Sequence, residues 1–304
     1  FRFLARSNDV LQFDNYHEED ERTHLALLYL LTTSDNVSLD HVVDYLGISK
    51  TTAEKDIKRT RVFLEKEHKL SLKYTRTNGY FIQGSELEQR LLLNDTVLKM
   101  QQYSDGQEVI ARTSVVGIEK IIHYARKVER HLDVTYSDDA FYTLVNTLAV
   151  NITRNLSGRV KDPDYFEKKL FDTVEFSSIT SITDPNWVRT ESDLEWIVLI
   201  FLSSNTLRGA FQDVKSPILT AVEKMVNQFE QDTLVNIPDR AAFDKQLLAH
   251  LRPAYFRIKY GMHLANINVD KVFQEDTWHR MLFETVKADV KPIERLVGKS
   301  LPTE

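Results

Sequence analysis

The sequence predicts a mainly α protein, with a compact basic module of helices and one hairpin followed by helical bundles. Three observations predict it. Gly and Pro are few, 9 and 7 in 304 residues, which favours long helices over tight turns. Apolar residues recur at helical spacing along most of the chain. At about 100–200 residues per domain, the length makes two or three domains. A hydrophobic fraction of 42% suits packed cores rather than a disordered tail.

Composition also excludes chemistry. With no Cys, disulfides, thiol catalysis, thiolate zinc sites and iron–sulfur clusters are excluded within this chain. No apolar run approaches the roughly 18–20 residues of a membrane span, Trp196–Leu202 being the best. Phe1–Ala5 has no charged-then-apolar signal pattern, so a cytoplasmic protein is expected. A chain opening on Phe1 rather than Met is expected to be part of something longer.

The elements follow in order. Residues 1–20 read as a linker or strand segment. Glu21–Thr33 carries Leu25, Leu28 and Leu31 with Leu27 and Leu30 beside them, which marks a buried helix. Ser38 is the N-cap residue for Leu39–Leu46, whose Leu39, Val42, Val43 and Leu46 keep the 3.6-residue spacing. Gly47 permits a tight turn, and Ser49 caps a third helix from Lys50. Ala53, Ile57, Thr60 and Leu64 form its core stripe, so Lys55 and Arg59 are turned away, joined by Thr51, with Thr52 and Lys58 on the edges. Leu70–Thr75 and Tyr80–Gln83 alternate around Asn78-Gly79, a hairpin signal. Helix, helix, turn, helix and hairpin over 21–84 is the winged helix-turn-helix plan.

Charge supports a polyanionic partner for that module. The net charge is −6, yet Gly47–Arg76 holds nine basic residues against four acidic ones, a local +5 that leaves −11 elsewhere. A helix fits the major groove of double-stranded DNA, and hydroxyl and basic side chains at its start suit phosphates and base edges. The candidate contacts are Ser49, Lys50, Thr51, Thr52, Lys55, Lys58 and Arg59, with Lys73, Arg76 and Asn78 on the hairpin. A solvated basic helix beside an ordinary hairpin is the blander alternative.

Beyond Gly84 the chain reads as helical, with a connecting helix over 85–107, its helical part Glu86–Gln102 and a polar break at Tyr103–Gln107. Two stretches then repeat, Leu144–Arg154 and Leu247–Arg257, both Leu-x-x-(Thr or His)-Leu-x5-Arg. Each sets a polar or imidazole group, Thr147 or His250, seven residues before an arginine, on one helix stripe. The repeats divide the rest into a first bundle over 108–208 and a second over 209–304, with Asn205–Ser216 as the boundary. The matching last helix of the second bundle would begin near Leu301, so a cut there is expected.

His250 has two open readings. One is a packed histidine with a hydrogen-bonded ring nitrogen. The other is a phosphoacceptor, because a neutral imidazole nitrogen is a competent nucleophile near pH 7. Arg257 would then offset the added charge, with Arg154 in the matching place of the first repeat.

A family resemblance rests on these residues. Gly47-Ile-Ser-Lys-Thr-Thr-Ala-Glu-Lys-Asp56, followed by Gly79-Tyr-Phe-Ile-Gln-Gly84-Ser-Glu86-x3-Arg90, resembles the second helix-turn-helix of sugar-operon activators of the mannitol/lichenan-regulator type. The two repeats look like the paired phosphotransferase-system regulation domains, called PRDs, that follow it. The resemblance implies a DNA-binding activator of carbohydrate uptake genes that forms a homodimer through its PRDs. Its histidines would be phosphorylated by the phosphocarrier HPr or by sugar-specific transport enzymes, here at His250. Thr147 and Ile200 stand where the first PRD would carry its histidines, so that copy is expected to be structural or dimerising. His123, His131, His263 and His279 match no motif position.

The same architecture resembles the Mga-like virulence regulators. RNA-binding antiterminators carry similar PRDs but begin with a β-rich domain, which disfavours RNA here. An unphosphorylated dimerisation scaffold is a further alternative. No glycine-rich phosphate loop, paired-carboxylate cleft or metal spacing supports an enzyme, a cofactor or a metal, and His17 with His24 is too little for one.

Overall fold

A computed structural model describes residues 18–158, 160, 174–209, 217–262 and 284–300. The fold is mainly helical, and the chain divides into two compact units. The first comprises 1–118, 146–165 and 185–192, and the second 119–145, 166–184 and 193–304. Residues 1–17 and 210–216, His263, His279 and Leu301–Glu304 lie outside the described residues, as does His17.

In the first unit, α1 (Glu19–Thr32) starts two residues before the apolar pattern does. Its opening acidic turn, Glu19–Glu21, is favoured at the positive end of the helix dipole, and the Glu18 N–H donates to Glu21 Oε2 at 3.1 Å. Leu25, Leu27, Leu28 and Leu31 are fully buried, where α1 packs on α3 (Lys50–Glu67) and α4 (Glu86–Met100). Between them, α2 (Leu39–Leu46) is capped by Ser38, whose Oγ accepts from the His41 N–H at 3.1 Å. Ser49 Oγ and Ser85 Oγ accept likewise from Thr52 and Glu88, opening α3 and α4. The core stripe Ala53, Ile57, Thr60 and Leu64 of α3 is buried throughout.

The hairpin pairs β1 (Ser71–Thr75) with β2 (Gly79–Gln83), Leu72 facing Ile82 across the ladder. Its turn is pinned to the loop before α2, because the Tyr80 N–H donates to Val37 O at 2.7 Å. Gly79 is required there. Its φ is +63°, and a Cβ would lie 2.2 Å from Val37 O. Where a polar break was expected, α5 (Gly106–Thr113) forms directly after a short turn.

The second unit contains α6 (Ile118–Leu132) from Glu119 onward, β3 (Val134–Tyr136) and α8 (Val174–Ile182). It continues with α9 (Glu191–Ser203) from Asp193, β4 (Thr206–Gly209), α10 (Pro217–Thr233), α11 (Arg240–Tyr260) and α12 (Lys291–Val297). The division between units passes through α7 (Asp138–Leu156), between Val145 and Asn146. Ile218, Val222, Met225, Val226, Leu248 and Ile293 form an apolar core joining α10, α11 and α12. β3 and β4 pair antiparallel, with a bulge at Thr135/Tyr136. The sequence pattern did not expose this sheet, since three or four residues are too few to show alternation.

Pro253 lies inside α11. It has no N–H, which leaves the Ala249 carbonyl without its helical donor. The Thr206 hydroxyl of β4 donates to that carbonyl at 3.2 Å, so the flaw in the helix becomes its attachment point.

Candidate functional site

The reading face of α3 is built by its phase and its cap. Ser49, Lys50, Thr51, Lys55 and Lys58 are exposed, and Thr52 is half-buried, its Oγ1 2.9 Å from Ser49 Oγ. On the hairpin, Lys73, Arg76 and Asn78 are exposed. The structure therefore presents hydroxyls and ammonium groups at one helix start, in the first unit, with two further cations on the wing. Lys50 also reaches Asp40 at 3.1 Å, an exposed pair of little energetic weight.

Arg59 is placed differently from the outward position its spacing suggested. It is half-buried and donates through Nη1 to Asp56 Oδ1 at 2.9 Å, while Nη2 lies 2.5 Å from Glu19 Oε2. Asp56 is the centre of this arrangement. Fully buried, it also accepts from Arg22 of α1, Nε to Oδ2 at 2.7 Å and Nη2 to Oδ1 at 3.2 Å. Two arginines from two helices thus hold one carboxylate, and the reading helix is locked to α1. The spacing of Asp56, three after Ala53 and four before Thr60, puts it on the core stripe, but its two arginine partners are not legible from one helix.

The two repeats diverge in what surrounds them. In the first, Thr147 and Arg154 are both buried, Arg154 with 2% exposure. Arg154 donates to Glu86 through Nε (2.8 Å) and Nη2 (2.7 Å), to Leu31 O through Nη1 (2.8 Å) and to Gln89 Oε1 (3.0 Å). Arg90 adds a second guanidinium on Glu86 at 2.8 Å and donates to Asn155 Oδ1 at 2.9 Å. Burial pushes the Glu86 carboxyl up, but Arg154 and then Arg90 more than reverse this, so it lies below the ordinary carboxylate range. The repeat sets Arg154 in the place expected to offset a phosphoryl charge. Its guanidinium is instead committed to Glu86 and to the end of α1.

In the second repeat, His250 is exposed on α11, and among the described residues neither ring nitrogen has a hydrogen-bond partner. Arg257, at 8% exposure, donates through Nη1 to Ser203 O (2.6 Å) and Asn205 Oδ1 (2.9 Å) at the end of α9. Among the described residues no carboxylate is paired with it, and burial pulls its pKa down to about 10, so it stays charged at neutral pH. Seven residues along a helix make about 10 Å, so Arg257 lies two turns from His250 rather than in contact with it. Ile200 is buried in α9, and His123 and His131 are exposed on α6.

Among the described residues, no group of three His, Asp or Glu could hold a metal, and no helix is long and apolar enough to cross a membrane. Residues 12–95 match the family model of the Mga helix-turn-helix domain, and residues 223–304 match that of the PRD domain. The second range contains His250 and Arg257, while the first repeat falls outside both. No curated protein matches the chain at a significant level. Together the two matches support a PRD-containing, DNA-binding transcription regulator.

Proposed function

We propose that the chain is a cytoplasmic transcription activator of carbohydrate uptake or utilisation genes, whose DNA binding is set by phosphorylation of His250. The supporting observation is an exposed imidazole on the PRD-matched segment, without a partner among the described residues, together with an exposed hydroxyl and lysine face on the helix-turn-helix-matched one. HPr or a sugar-specific transport enzyme would donate the phosphoryl group to a His250 nitrogen. The buried cation of Arg257 would favour the added negative charge from two turns away. The organisation proposed is a winged helix over 21–84, a connector over 85–107, a first PRD over 108–208 and a second over 209–304, dimerising through the PRDs.

Incubation with HPr, its phosphoenolpyruvate-dependent charging enzyme and labelled phosphoenolpyruvate should label the protein, and His250→Ala should remove the label. Label retained in His250→Ala sinks the site. The match to the Mga helix-turn-helix domain favours a second reading, a virulence-type regulator with the same architecture but other target genes. Genome-wide mapping of the bound sites separates the two.

A further inference from the structure

A cavity of about 480 Å³ opens in the first unit at the root of the hairpin, within the usual range of small-molecule sites. Its rim carries Ser34, Asn36, Asn78 and Gln83, and none of these four side chains has a hydrogen-bond partner among the described residues. Phe81 and Leu30 give it one apolar wall, and the Glu86–Arg154 pair forms its floor.

The walls are fixed before anything enters. The loop bearing Ser34 and Asn36 is tied to the hairpin by the bond from Tyr80 to Val37, and Gly79 allows that approach. The floor is fixed by Arg154, which ties Glu86 to the end of α1. A preformed site loses less entropy on binding than one that must assemble.

The lining also selects the chemistry. Carboxamides and a hydroxyl both donate and accept, so they suit a ligand rich in hydroxyls. The two charged lining residues, Glu86 and Arg154, are bonded to each other, and Arg154 spends further N–H groups on Gln89 and Leu31 O, so a charged group finds little left to bind there. Phe81 offers a flat surface to the C–H face of a ring.

We propose that this cavity binds an uncharged polyhydroxylated small molecule of monosaccharide or disaccharide size. The site is separate from His250 and does not depend on the DNA-binding reading. Titration calorimetry and thermal shift should be run on the full chain with glucose, mannitol, cellobiose and glucose 6-phosphate. At least one neutral probe should bind and raise Tm, with glucose 6-phosphate binding no tighter. Asn36→Ala combined with Gln83→Ala removes two exposed amides and should weaken that probe roughly tenfold or more. The variant's own Tm, close to that of the parent, checks that it folds. Failure of all three neutral probes, preference for the phosphorylated sugar, or unchanged affinity in the double variant overturns the proposal.

Discussion

The two copies of Leu-x-x-(Thr or His)-Leu-x5-Arg place the same arginine in opposite circumstances. Arg154 meets a buried carboxylate, Glu86, together with a helix-end carbonyl. Among the described residues, Arg257 meets a carbonyl and an amide oxygen and no acid. Seven residues earlier, Thr147 is buried and His250 is exposed. The motif fixes a helix face and nothing more. What the arginine does depends on whether an acid from a distant element reaches it.

Breaking the first copy should have the largest effect. Arg154→Met leaves Glu86 buried with one guanidinium fewer and should cost about 3–5 kcal/mol in urea unfolding. Arg257→Met strands no carboxylate among the described residues and should cost about 1–3 kcal/mol. Equal losses would erase the distinction. Acid sharpens it further. The Glu86 carboxyl is held low in the fold, so the unfolded chain binds the extra proton as pH falls. Its stabilisation is complete above the ordinary glutamate pKa of about 4.3 and is lost as pH drops through the lower folded value. Comparing the parent with Glu86→Gln by thermal melts between pH 6 and pH 3 should show the parent's Tm falling more steeply.

Smaller effects test the second copy and the reading helix. Thr206→Val removes the donor to the carbonyl freed by Pro253 and should cost about 1 kcal/mol. At the reading helix, Glu19→Gln weakens the half-exposed pair with Arg59 and should tighten DNA binding about two- to fivefold. Lys55→Ala with Lys58→Ala should act the other way, weakening binding and flattening its salt dependence. Both are read by titration of labelled duplex DNA at several salt concentrations.

The helix-turn-helix and hairpin were legible because their signals are local. Ser38, Gly47, Ser49 and Asn78-Gly79 act within a few residues of themselves. The repeated motif was legible for the same reason, as a spacing along one helix. What escaped was set by partners far away in the chain. Arg154 lies 68 residues from Glu86, and Arg22 lies 34 from Asp56. Nothing in the spacing of one helix states which acid will meet its arginine. Asp56 and Glu86 did leave a trace, a carboxylate in phase with a buried stripe or four residues ahead of an arginine.

The double grip on Asp56 bears on how the reader could be reused. A segment running from Gly47 to Arg61 looks portable, since it carries its own cap and every reading-helix side chain named above. Transplanted into another scaffold, it would bring a buried carboxylate that has left Arg22 behind. A working chimera must therefore bring α1 as well, or replace Asp56 with an apolar residue and reorient Arg59. The smallest transferable reader in this protein is two helices held by one acid.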